Sequence, residues 1–481
     1  MIFNPILATD SYKFSHFMQY PKGTTIVKSY VTARGSKIPG VTAVVCAGLQ
    51  IFIHEYLSKR VTKNHVDQAE AFCAKHGVPF NREGWDLIVN DHNGYLPVEI
   101  RSVEEGTPVP LNELMISVIN TDERLPWVTS YIETLLLSYV WYASTVATKS
   151  REIKKVIKQY LDITSDNADV ELPFKLHDFG YRGATPGAAH VGAFAHLINF
   201  MGTDTVAGIE AAMEYYGSDV CGYSISASEH STMTSWGRDG EFDAYRNMVD
   251  SYAKPGAIFA CVIDSYDTFA AIDMFCEDRC AGGSLLDIVK NRGATIVLRP
   301  DSGDPIQMPI DVIKYLMEKV GYEINNKGYK VLPSHVRVIQ GDGIDIEDVE
   351  HILETLVEDE KISASNIAFG MGGGLLQKVN RDTFKFAMKA CLAYINGEKV
   401  DIIKDPVTDP GKKSKAGDLS VYHNPETGEW KTITEGSLDS FAFNKPSSNW
   451  YRKDYVVYSH YGRDTFFDYV DMDTVRRNAA L

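Results

Sequence analysis

The sequence predicts an incomplete α/β barrel of parallel strands, together with a second, sandwich-like α+β domain built from the two ends of the chain. In the middle of the chain, short apolar runs end in polar, glycine-rich loops and are followed by helical patterns. The runs start roughly 30 to 45 residues apart, which leaves room for a helix between two parallel strands. At 481 residues, the chain also exceeds what one ordinary core accommodates.

The predicted barrel strands are apolar along most of their length, as expected for strands that are covered on both faces. Polar residues and glycines follow almost every run, and the carboxyl ends of barrel strands are where α/β barrels carry their chemistry. We therefore expect one shared site at that end of the barrel. The runs are Phe174–Gly180, Val220–Ile225, Ala257–Asp264, Thr295–Asp301, Val336–Asp342 and Ile367–Gly370.

The two flanks lack this rhythm and mix one helix-like segment with short strand-like runs. We predict that residues 1–165 and 385–481 form the sandwich-like domain and that residues 166–384 form the barrel. A Pro- and Gly-containing turn at Asn424–Gly428 is predicted to join two short strands. The helix-like segment is Ala47–Lys59, and the strand-like runs are Tyr95–Val103, Glu113–Val118, Ala387–Ile395 and Asp454–Ser459.

The composition narrows the class of protein. The net charge of −16 argues against binding to nucleic acid or to an anionic membrane, because both need a basic surface. The chain contains no apolar stretch long enough to span a membrane and no secretory signal pattern. Seven scattered cysteines without a C-x-x-C pair indicate a reducing compartment, and we expect the cytoplasm.

A glycine-rich turn near the end of the barrel region is a candidate phosphate site. Gly372 and Gly373 follow an apolar strand and precede a helical pattern, so that the backbone can approach a phosphate closely. Arg381 and Lys389 lie soon after it and supply cations, and a run of lysines that includes Lys412 follows. A tight bend and a solvated lysine-rich loop remain open as alternatives.

Carboxylates follow three of the predicted strands. Arg299 and Asp301 combine a guanidinium with a carboxylate, which suits phosphate on the one hand and ribose hydroxyls or Mg²⁺ on the other. Asp342, next to Gly341, and Asp264 repeat the pattern after neighbouring strands. Each aspartate alone is better explained as a turn residue or a helix cap, but their recurrence at neighbouring strand ends favours a shared site.

The remaining candidates suggest a pocket for a flat ring. Phe179 offers an aromatic face and Arg182 a nearby cation, while Asp204 offers a carboxylate that can accept hydrogen bonds from an amide. His230 follows another strand and suits a general base, a phosphate contact or a covalent phosphate carrier. Core packing, a helix cap and a surface histidine are the respective alternatives. The residues alone thus predict a barrel enzyme for a phosphorylated, sugar-containing substrate with Mg²⁺, and they do not fix the reaction.

Several of these segments, in the same order, resemble the nicotinamide phosphoribosyltransferase family, whose close relatives are the nicotinate phosphoribosyltransferases. The resemblance runs nearly from end to end of the chain. It implies a pentosyltransferase of NAD salvage that joins nicotinamide to the phosphoribosyl group of 5-phosphoribosyl 1-diphosphate. The matching segments are Leu7–Lys13, His177–Gly183, Gly202–Gly208, Glu229–Thr232, Asp264–Asp267, Arg299–Gly303, Ile339–Gly343, Gly372–Lys378, Lys404–Val407 and Arg476–Leu481.

The resemblance also implies roles for individual residues around the ring. Phe179 and, from the partner subunit of a homodimer, Tyr12 are expected to enclose the pyridine ring. Asp204 is expected to accept the carboxamide N–H₂ and to repel the carboxylate of nicotinate. The catalytic group expected at the carboxyl ends of the strands, around the ribose and the Mg²⁺–diphosphate, consists of His230, Asp264, Arg299 and Asp301, with Mg²⁺ near Asp264 and Asp301.

Further roles concern the phosphates. His230 is expected to be phosphorylated transiently by ATP, which couples ATP hydrolysis to product formation. Arg34 is expected near the nucleotide phosphates, and Arg182 is expected to steer the substrate. Residues expected to bind the ribose or the 5′-phosphate are Gly341, Asp342, Gly372, Gly373, Arg381, Lys389 and Lys412, with Arg381 and Lys389 acting across the dimer interface.

Two departures from the family pattern stand out. The segment Gly35–Val44 is short, which affects the contacts expected near Arg34, and Met371 stands where a small residue is common. The alternatives are the same transfer to nicotinate, a non-catalytic binding protein on the same fold, and an unrelated barrel lyase or isomerase. Asp204 argues against the first, the joint presence of the candidate residues argues against the second, and the lack of a strand-end lysine argues against the third.

Overall fold

The computed structural model describes residues 4–408, 413–445 and 447–481. Its contacts divide the chain into two compact units. The barrel unit comprises Lys149–Glu210 and Asp219–Val379, with Leu481. The antiparallel unit comprises Met1–Thr148, Ala211–Ser218 and Asn380–Ala480. The predicted domain limits at residues 165 and 385 stay a prediction.

The strands are numbered in chain order. They are β1 Thr24–Ala33, β2 Ala43–Val45, β3 Val98–Ser102, β4 Pro108–Pro110, β5 Ile116–Asn120, β6 Leu176–Asp178, β7 Gly202–Thr203, β8 Ser226–Ala227, β9 Ile258–Val262, β10 Thr295–Arg299, β11 Glu323–Ile324, β12 Lys330–Val331, β13 Val336–Gln340, β14 Ile367–Met371, β15 Phe386–Ile395, β16 Glu398–Asp401, β17 Leu419–His423, β18 Trp430–Thr434, β19 Tyr451–Arg452, β20 Tyr455–Tyr461 and β21 Asp464–Phe467.

The α-helices are numbered in the same way. They are α1 Leu49–Phe52, α2 Lys63–His76, α3 Arg82–Asp91, α4 Val128–Tyr131, α5 Glu133–Thr164, α6 Ala168–Glu171, α7 Ala189–Leu197, α8 Val206–Tyr216, α9 His230–Thr234, α10 Glu241–Tyr252, α11 Thr268–Cys276, α12 Leu285–Asn291, α13 Gln307–Val320, α14 Ile346–Glu354, α15 Gly373–Leu376, α16 Leu438–Phe443 and α17 Met472–Asn478. Short 3₁₀ helices include Ser11–Met18 and Tyr181–Gly183.

The barrel unit is built on a parallel sheet with the strand order β7-β6-β14-β13-β10-β9-β8. The two ends of this sheet meet at Tyr223, just before β8. Its backbone N–H donates to the Met201 carbonyl at 2.7 Å, and its carbonyl accepts from the Thr203 N–H at 3.0 Å. The sheet therefore curls into an incomplete barrel, which confirms the predicted fold class.

The predicted strand at Val220–Ile225 is wrong. The structure places the strand two residues long at β8, after the predicted run, and the run itself contributes only the bridge at Tyr223. The sequence did not predict the short strand β7, Gly202–Thr203. Neither strand is long enough to show an apolar pattern, so their positions follow from pairing with neighbours rather than from local sequence.

The interior of the barrel is small and apolar. Ala260, Val297 and Ile339, one from each of three neighbouring strands, form a buried cluster against which Phe179, Ile225 and Ala368 pack. Side chains that point into the barrel alternate with those that face the covering helices. The modest size of the inward side chains at this level leaves space between the strands for a cavity.

The antiparallel unit contains a larger sheet with the order β16-β15-β1-β5-β3-β20-β21 and a smaller one with the order β18-β17-β19. Trp85, Trp127 and Tyr131 pack edge to face within its core, with ring centroids 5.0 to 5.5 Å apart. Strands β3, β5, β15 and β20 lie at the four strand-like runs predicted in the flanks. The predicted turn at Asn424–Gly428 joins β17 to β18, and the Gly428 N–H donates to the Asn424 carbonyl at 2.8 Å.

No helix among the described residues is long and apolar enough to cross a membrane.

Candidate active site

Three neighbouring barrel strands, β9, β10 and β13, are each followed by two aspartates three positions apart. The second aspartate of each pair accepts hydrogen bonds from backbone N–H groups at or just before the start of the next helix, which is the capping role that the sequence left open. The first aspartate stands at the strand end. The first aspartates are Asp264, Asp301 and Asp342, and the capping ones are Asp267, Asp304 and Asp345.

The predicted catalytic residues lie together in the barrel unit. The Nε2 atom of His230, the first residue of α9, is 2.9 Å from Oδ1 of the buried Asp264 carboxylate. Its Nδ1 atom is 3.9 Å from Oδ2 of Asp301, and Oδ1 of Asp301 is 3.8 Å from Nε of Arg299. Because a carboxylate only accepts hydrogen bonds, Nε2 of His230 is the donor to Asp264.

Arg299 occupies an unusual position at the end of β10. Its Nε atom is buried and has no hydrogen-bond partner among the described residues. A buried donor without a partner costs free energy in the empty protein. An anionic ligand at this place would supply the missing acceptor, which fits the phosphate role predicted from the sequence.

The ring of Phe179 lies across two glycines. A side-chain carbon at Gly370 would overlap this ring, and one at Gly341 would lie 3.2 Å from its Cε2 atom and 3.9 Å from Cδ of Arg299. The Phe179 N–H donates to the Met371 carbonyl at 3.1 Å, which fixes the backbone beside β14. Glycine is needed at Gly370 because any larger residue would displace the ring.

Asp204 follows β7 and is exposed at the same end of the barrel. Its carboxylate accepts a hydrogen bond from the Ser224 hydroxyl, and its backbone N–H donates to the Asp178 carbonyl at 2.9 Å. The sequence interpretation had weighed Asp204 as a helix cap. The side chain instead pairs with Ser224, a residue that sequence reasoning did not select although it lies within the predicted run Val220–Ile225.

Asp178 was also missed, because it stands between His177 and Phe179 where the sequence gives no sign of its burial. It is fully buried, and its carboxylate accepts hydrogen bonds from the Gly180 N–H at 2.7 Å and from the Thr203 hydroxyl at 3.4 Å. Burial raises the pKa of Asp178 to about 6, and the nearby Asp204 carboxylate adds to the rise. These contacts hold the turn that carries Phe179.

A cavity of about 510 Å³ opens between these residues and continues through the barrel. Phe179, Asp204 and Arg299 line it at the carboxyl ends of the strands, and Glu171, Lys175 and Arg337 line it at the amino ends. Its walls between the two ends are mostly apolar. This combination of an apolar cavity with a few polar groups is typical of a site for a small flat molecule.

The predicted phosphate loop, Gly372–Gly374, lies beside the Phe179 turn. A side-chain carbon at Gly372 would lie 3.3 Å from the Phe179 carbonyl oxygen, whereas one at Gly373 would meet nothing within 4 Å. Arg182 is exposed in the short helix Tyr181–Gly183, next to Gly183, which approaches the Cα atom of Gly373. The backbone at Gly373 is therefore open to a ligand within the barrel unit.

The remaining predicted residues belong to the antiparallel unit. Lys389 on β15 is part of a cationic group with Arg34, Arg381 and Lys404, and burial together with these cations lowers its pKa. Tyr12 is exposed, and the Lys13 ammonium lies 5.4 Å from the centre of its ring. The Glu133 carboxylate acts to raise the pKa of both Tyr12 and Lys389. This arrangement concentrates positive charge in an otherwise acidic protein. Lys412 lies outside the described residues.

Comparison with known proteins identifies the class. The model of the nicotinate phosphoribosyltransferase (NAPRTase) family matches residues 174–439, and that of the nicotinamide phosphoribosyltransferase N-terminal domain matches residues 4–100. A nicotinamide phosphoribosyltransferase of Xanthomonas campestris pv. campestris (strain 8004) is 47% identical over 430 residues, covering 89% of this chain and 90% of that protein. One of Acinetobacter baylyi (strain ATCC 33305 / BD413 / ADP1) is 33% identical over 462 residues, covering 88% and 89%.

Solved structures share the fold at low identity. The crystal structure of nicotinate-nucleotide pyrophosphorylase from Pyrococcus furiosus matches with a TM-score of 0.61 at 14% identity, covering 99% of this chain and 94% of that one. That of human nicotinic acid phosphoribosyltransferase matches with a TM-score of 0.57 at 15% identity, covering 98% and 93%.

The barrel with its strand-end carboxylates and cations is thus that of a phosphoribosyltransferase, a pentosyltransferase enzyme. The chain belongs to the nicotinate phosphoribosyltransferase family, which confirms the resemblance seen in the sequence.

Proposed function

We propose that this enzyme transfers the phosphoribosyl group of 5-phosphoribosyl 1-diphosphate to nicotinamide in NAD salvage, with ATP hydrolysis coupled to the transfer through His230. The pairing of Asp204 with Ser224, in the cavity that Phe179 also lines, carries the choice of nicotinamide. A carboxylate at this position attracts an amide N–H₂ and repels the carboxylate of nicotinate. The names of the relatives agree with this choice.

The transfer needs no protein nucleophile. The ring nitrogen of nicotinamide forms a bond to C1 of the ribose, while the bond from C1 to the diphosphate oxygen breaks and the diphosphate keeps the electron pair. The unpartnered Nε of Arg299 is available to the charge that develops on the leaving group. Phe179 orients the ring for attack, and the glycines beneath Phe179 allow it to lie flat.

We propose Mg²⁺ as the divalent cation of this site. Neither His230 nor Arg299 comes within hydrogen-bonding distance of the Asp301 carboxylate, which leaves its oxygens open. No group of three or more metal-ligating side chains occurs among the described residues, and Mg²⁺ typically binds one or two carboxylates together with substrate phosphates and water. We propose that Asp301, with Asp264 nearby, holds Mg²⁺, which would neutralise charge on the diphosphate.

The ATP-coupling proposal rests on the geometry of His230. Asp264 accepts a hydrogen bond from Nε2 of His230 and orients the imidazole. The Nδ1 lone pair of the neutral ring then attacks the γ-phosphorus of ATP. The new N–P bond forms as the bond from phosphorus to the ADP oxygen breaks. Water then attacks this phosphorus, the N–P bond breaks with its electron pair returning to Nδ1, and inorganic phosphate leaves.

We also propose a cytoplasmic homodimer, in which Tyr12, Arg381 and Lys389 of one subunit serve the site of the other. The cationic group around Lys389 suits an anionic ligand, and the barrel site offers the open Gly373 backbone to the same kind of ligand. All seven cysteines are free thiols, which supports a reducing compartment. The contact of Lys412 to the 5′-phosphate stays a prediction. The roles expected of Arg34, Arg182 and Asp342 also stay predictions.

The first test is a mass-spectrometric assay with Mg²⁺ and 5-phosphoribosyl 1-diphosphate, with nicotinamide or nicotinate in separate reactions, each with and without ATP. We expect nicotinamide mononucleotide chiefly from nicotinamide, and faster with ATP. Product from nicotinate alone would refute the role of Asp204. Asp204→Asn should lose most of the preference between the two substrates.

A second test separates the finer proposals. His230→Ala should abolish ATP stimulation and the acid-labile phosphoenzyme while slow, ATP-independent transfer persists. Mixing inactive Tyr12→Ala with inactive Asp301→Ala should restore part of the activity, because a mixed dimer contains one intact site. Failure of mixing to restore activity, with subunit exchange verified, would exclude a site shared between subunits.

A further inference from the structure

A buried lysine links the two loops to which the proposed function assigns the ribose and the phosphate. Lys149 on α5 is 5% exposed and belongs to the barrel unit. Its Nζ atom lies 2.6 Å from Oδ1 of Asp345 and donates to the Gly374 carbonyl at 2.9 Å. The first contact reaches the loop after β13, and the second reaches the loop after β14.

The loop after β13 is rigid on both sides of Asp342. Gln340 Nε2 donates to the Asp342 carbonyl at 2.9 Å. Three residues later, Asp345 caps α14: it accepts the Ile346 N–H at 2.8 Å, and its own N–H donates to Asp348 at 2.8 Å. Lys149 therefore binds this loop at Asp345, the residue that connects the loop to α14.

The loop after β14 is gripped in the same way. Gly374 directly follows Gly372 and Gly373. The Gly372 carbonyl accepts N–H groups of the short helix α15, and the Gly373 carbonyl accepts those of the two residues after this helix. A side-chain carbon at Gly374 would lie 2.9 Å from the Ile344 carbonyl, so the two loops touch here with no space to spare. Lys149 donates to the Gly374 carbonyl at this same residue.

A buried ammonium is costly unless both its charge and its hydrogen bonds are met. Here a single ammonium meets one partner in each loop, so that neither loop can shift without losing a charge-assisted hydrogen bond. Since the two loops are neighbours in the sheet order, this contact fixes the distance between the Asp342 carboxylate and the open backbone at Gly373.

We propose that Lys149 is a positioning residue that sets the spacing between the ribose-binding and the phosphate-binding loops, and thereby the affinity for 5-phosphoribosyl 1-diphosphate. This inference rests on the proposed function for the assignment of the two loops. Lys149 does not touch the cavity that takes the pyridine ring. Its loss should therefore affect one substrate and spare the other.

The test compares Lys149→Met, Asp345→Asn and the double variant with the unmodified enzyme. Methionine keeps the apolar stem of the side chain and removes the ammonium. We expect the KM for 5-phosphoribosyl 1-diphosphate to rise roughly tenfold in Lys149→Met, the order of one lost charge-assisted hydrogen bond, while the KM for nicotinamide changes less than about twofold. Because asparagine remains a good cap, Asp345→Asn should fold. Its KM for 5-phosphoribosyl 1-diphosphate should rise about threefold, since the link to Lys149 is weakened but not removed.

The double variant should be no worse than Lys149→Met alone, because both changes remove the same link. The matched control is Lys158→Met, which removes a lysine from the same helix that pairs with Asp162 on the surface at 2.8 Å. It should leave both KM values unchanged. Circular dichroism and the thermal midpoint verify folding, and Asp345→Asn decides the question if Lys149→Met does not fold.

Two results would overturn the inference: an unchanged KM for 5-phosphoribosyl 1-diphosphate in the folded variants, or an equal rise in both KM values. If the unmodified enzyme forms no product from nicotinamide, the proposed function fails instead. Calorimetric titration of 5-phosphoribosyl 1-diphosphate into the unmodified enzyme and Lys149→Met then still tests the spacing of the loops by a loss of binding.

Discussion

The two ends of the barrel strands carry similar charged residues that are used differently. At the amino ends, Lys175 donates to the carbonyls of Ala364, Ser365 and Ile367 at 3.0 to 3.3 Å and pairs with Glu171 at 3.0 Å. Arg337 donates to three carbonyls through one nitrogen. At the carboxyl ends, by contrast, Nε of Arg299 has no hydrogen-bond partner among the residues described.

This difference separates stability from chemistry within one cavity. Cations that are satisfied by the backbone hold the strand starts together, whereas a buried donor without a partner is a cost that only a ligand can offset. Burial lowers the pKa of both Lys175 and Arg337, so their carbonyl and carboxylate partners matter for keeping them charged. The two ends should therefore respond to mutation in opposite ways.

The largest effect is expected at Arg299. Arg299→Met should reduce kcat/KM about a thousandfold, because it removes the cation available to the leaving diphosphate, and should leave the thermal midpoint within a few degrees of the original. Steady-state kinetics and differential scanning fluorimetry measure both. Arg337→Met is the control: it should lower the midpoint and change kcat/KM less than about threefold. Equal losses of activity in the two variants would contradict the comparison.

Lys175→Met should show the opposite pattern. It strands Glu171 and the carbonyls that Lys175 satisfies, and breaking a buried pair costs about 3 kcal/mol or more of unfolding free energy. Urea unfolding measures this loss, and kcat/KM measured on the folded fraction should stay within about threefold. Adding Glu171→Gln should recover part of the stability. A stable Lys175→Met variant with impaired catalysis would instead assign the amino end to the reaction.

Burial of the Asp178 carboxyl at the carboxyl ends of the strands should make the unfolding free energy depend on pH. Burial raises its pKa from 3.8 to about 6, so the folded protein binds a proton there more tightly than the unfolded chain does. Stability from this group is therefore present at low pH and is lost as pH rises from about 4 to about 6. Relative to Asp178→Asn, the original protein should lose about 3 kcal/mol of unfolding free energy over this range. Parallel curves for the two proteins in urea would show that Asp178 is ionised without penalty.

The smallest effect is expected at Gly370. Gly370→Ala places a carbon where the Phe179 ring now lies, so the ring must tilt and the KM for nicotinamide should rise about tenfold, or roughly 1.4 kcal/mol. Gly373→Ala, which meets open space, should leave the KM for nicotinamide unchanged. An unaltered KM in Gly370→Ala would mean that Phe179 does not need its present orientation.

The sequence predicted those features that leave a local pattern. The barrel rhythm, the strand-end positions of Asp264 and Arg299, and the flanking strands follow from apolar runs and turn residues. It did not predict β7 or β8, because two-residue strands have no pattern of their own. The burial of Asp178 and the link from Lys149 to Gly374, which spans 225 positions along the chain, arise only when distant segments meet.

The aspartate pairs illustrate what sequence reasoning can recover with a better rule. Each aspartate after β9, β10 and β13 was ambiguous between a cap and a site residue. The structure resolves the ambiguity by position, since the first of each pair stands at the strand end and the second caps the helix. When two acidic residues stand three apart after a buried strand, the first is therefore the candidate site residue and the second is the helix cap.

The bridge at Tyr223 has a consequence for self-association. A curled sheet that stops short of closure has two edges, and an open edge is a template on which other chains can add strands. By donating to Met201 and accepting from Thr203, the Tyr223 backbone occupies the hydrogen-bonding groups along the β7 edge. The β7 edge of this incomplete barrel is therefore not available for pairing with a strand of another chain. Loosening the segment before β8 would expose the edge and cause aggregation that increases with protein concentration.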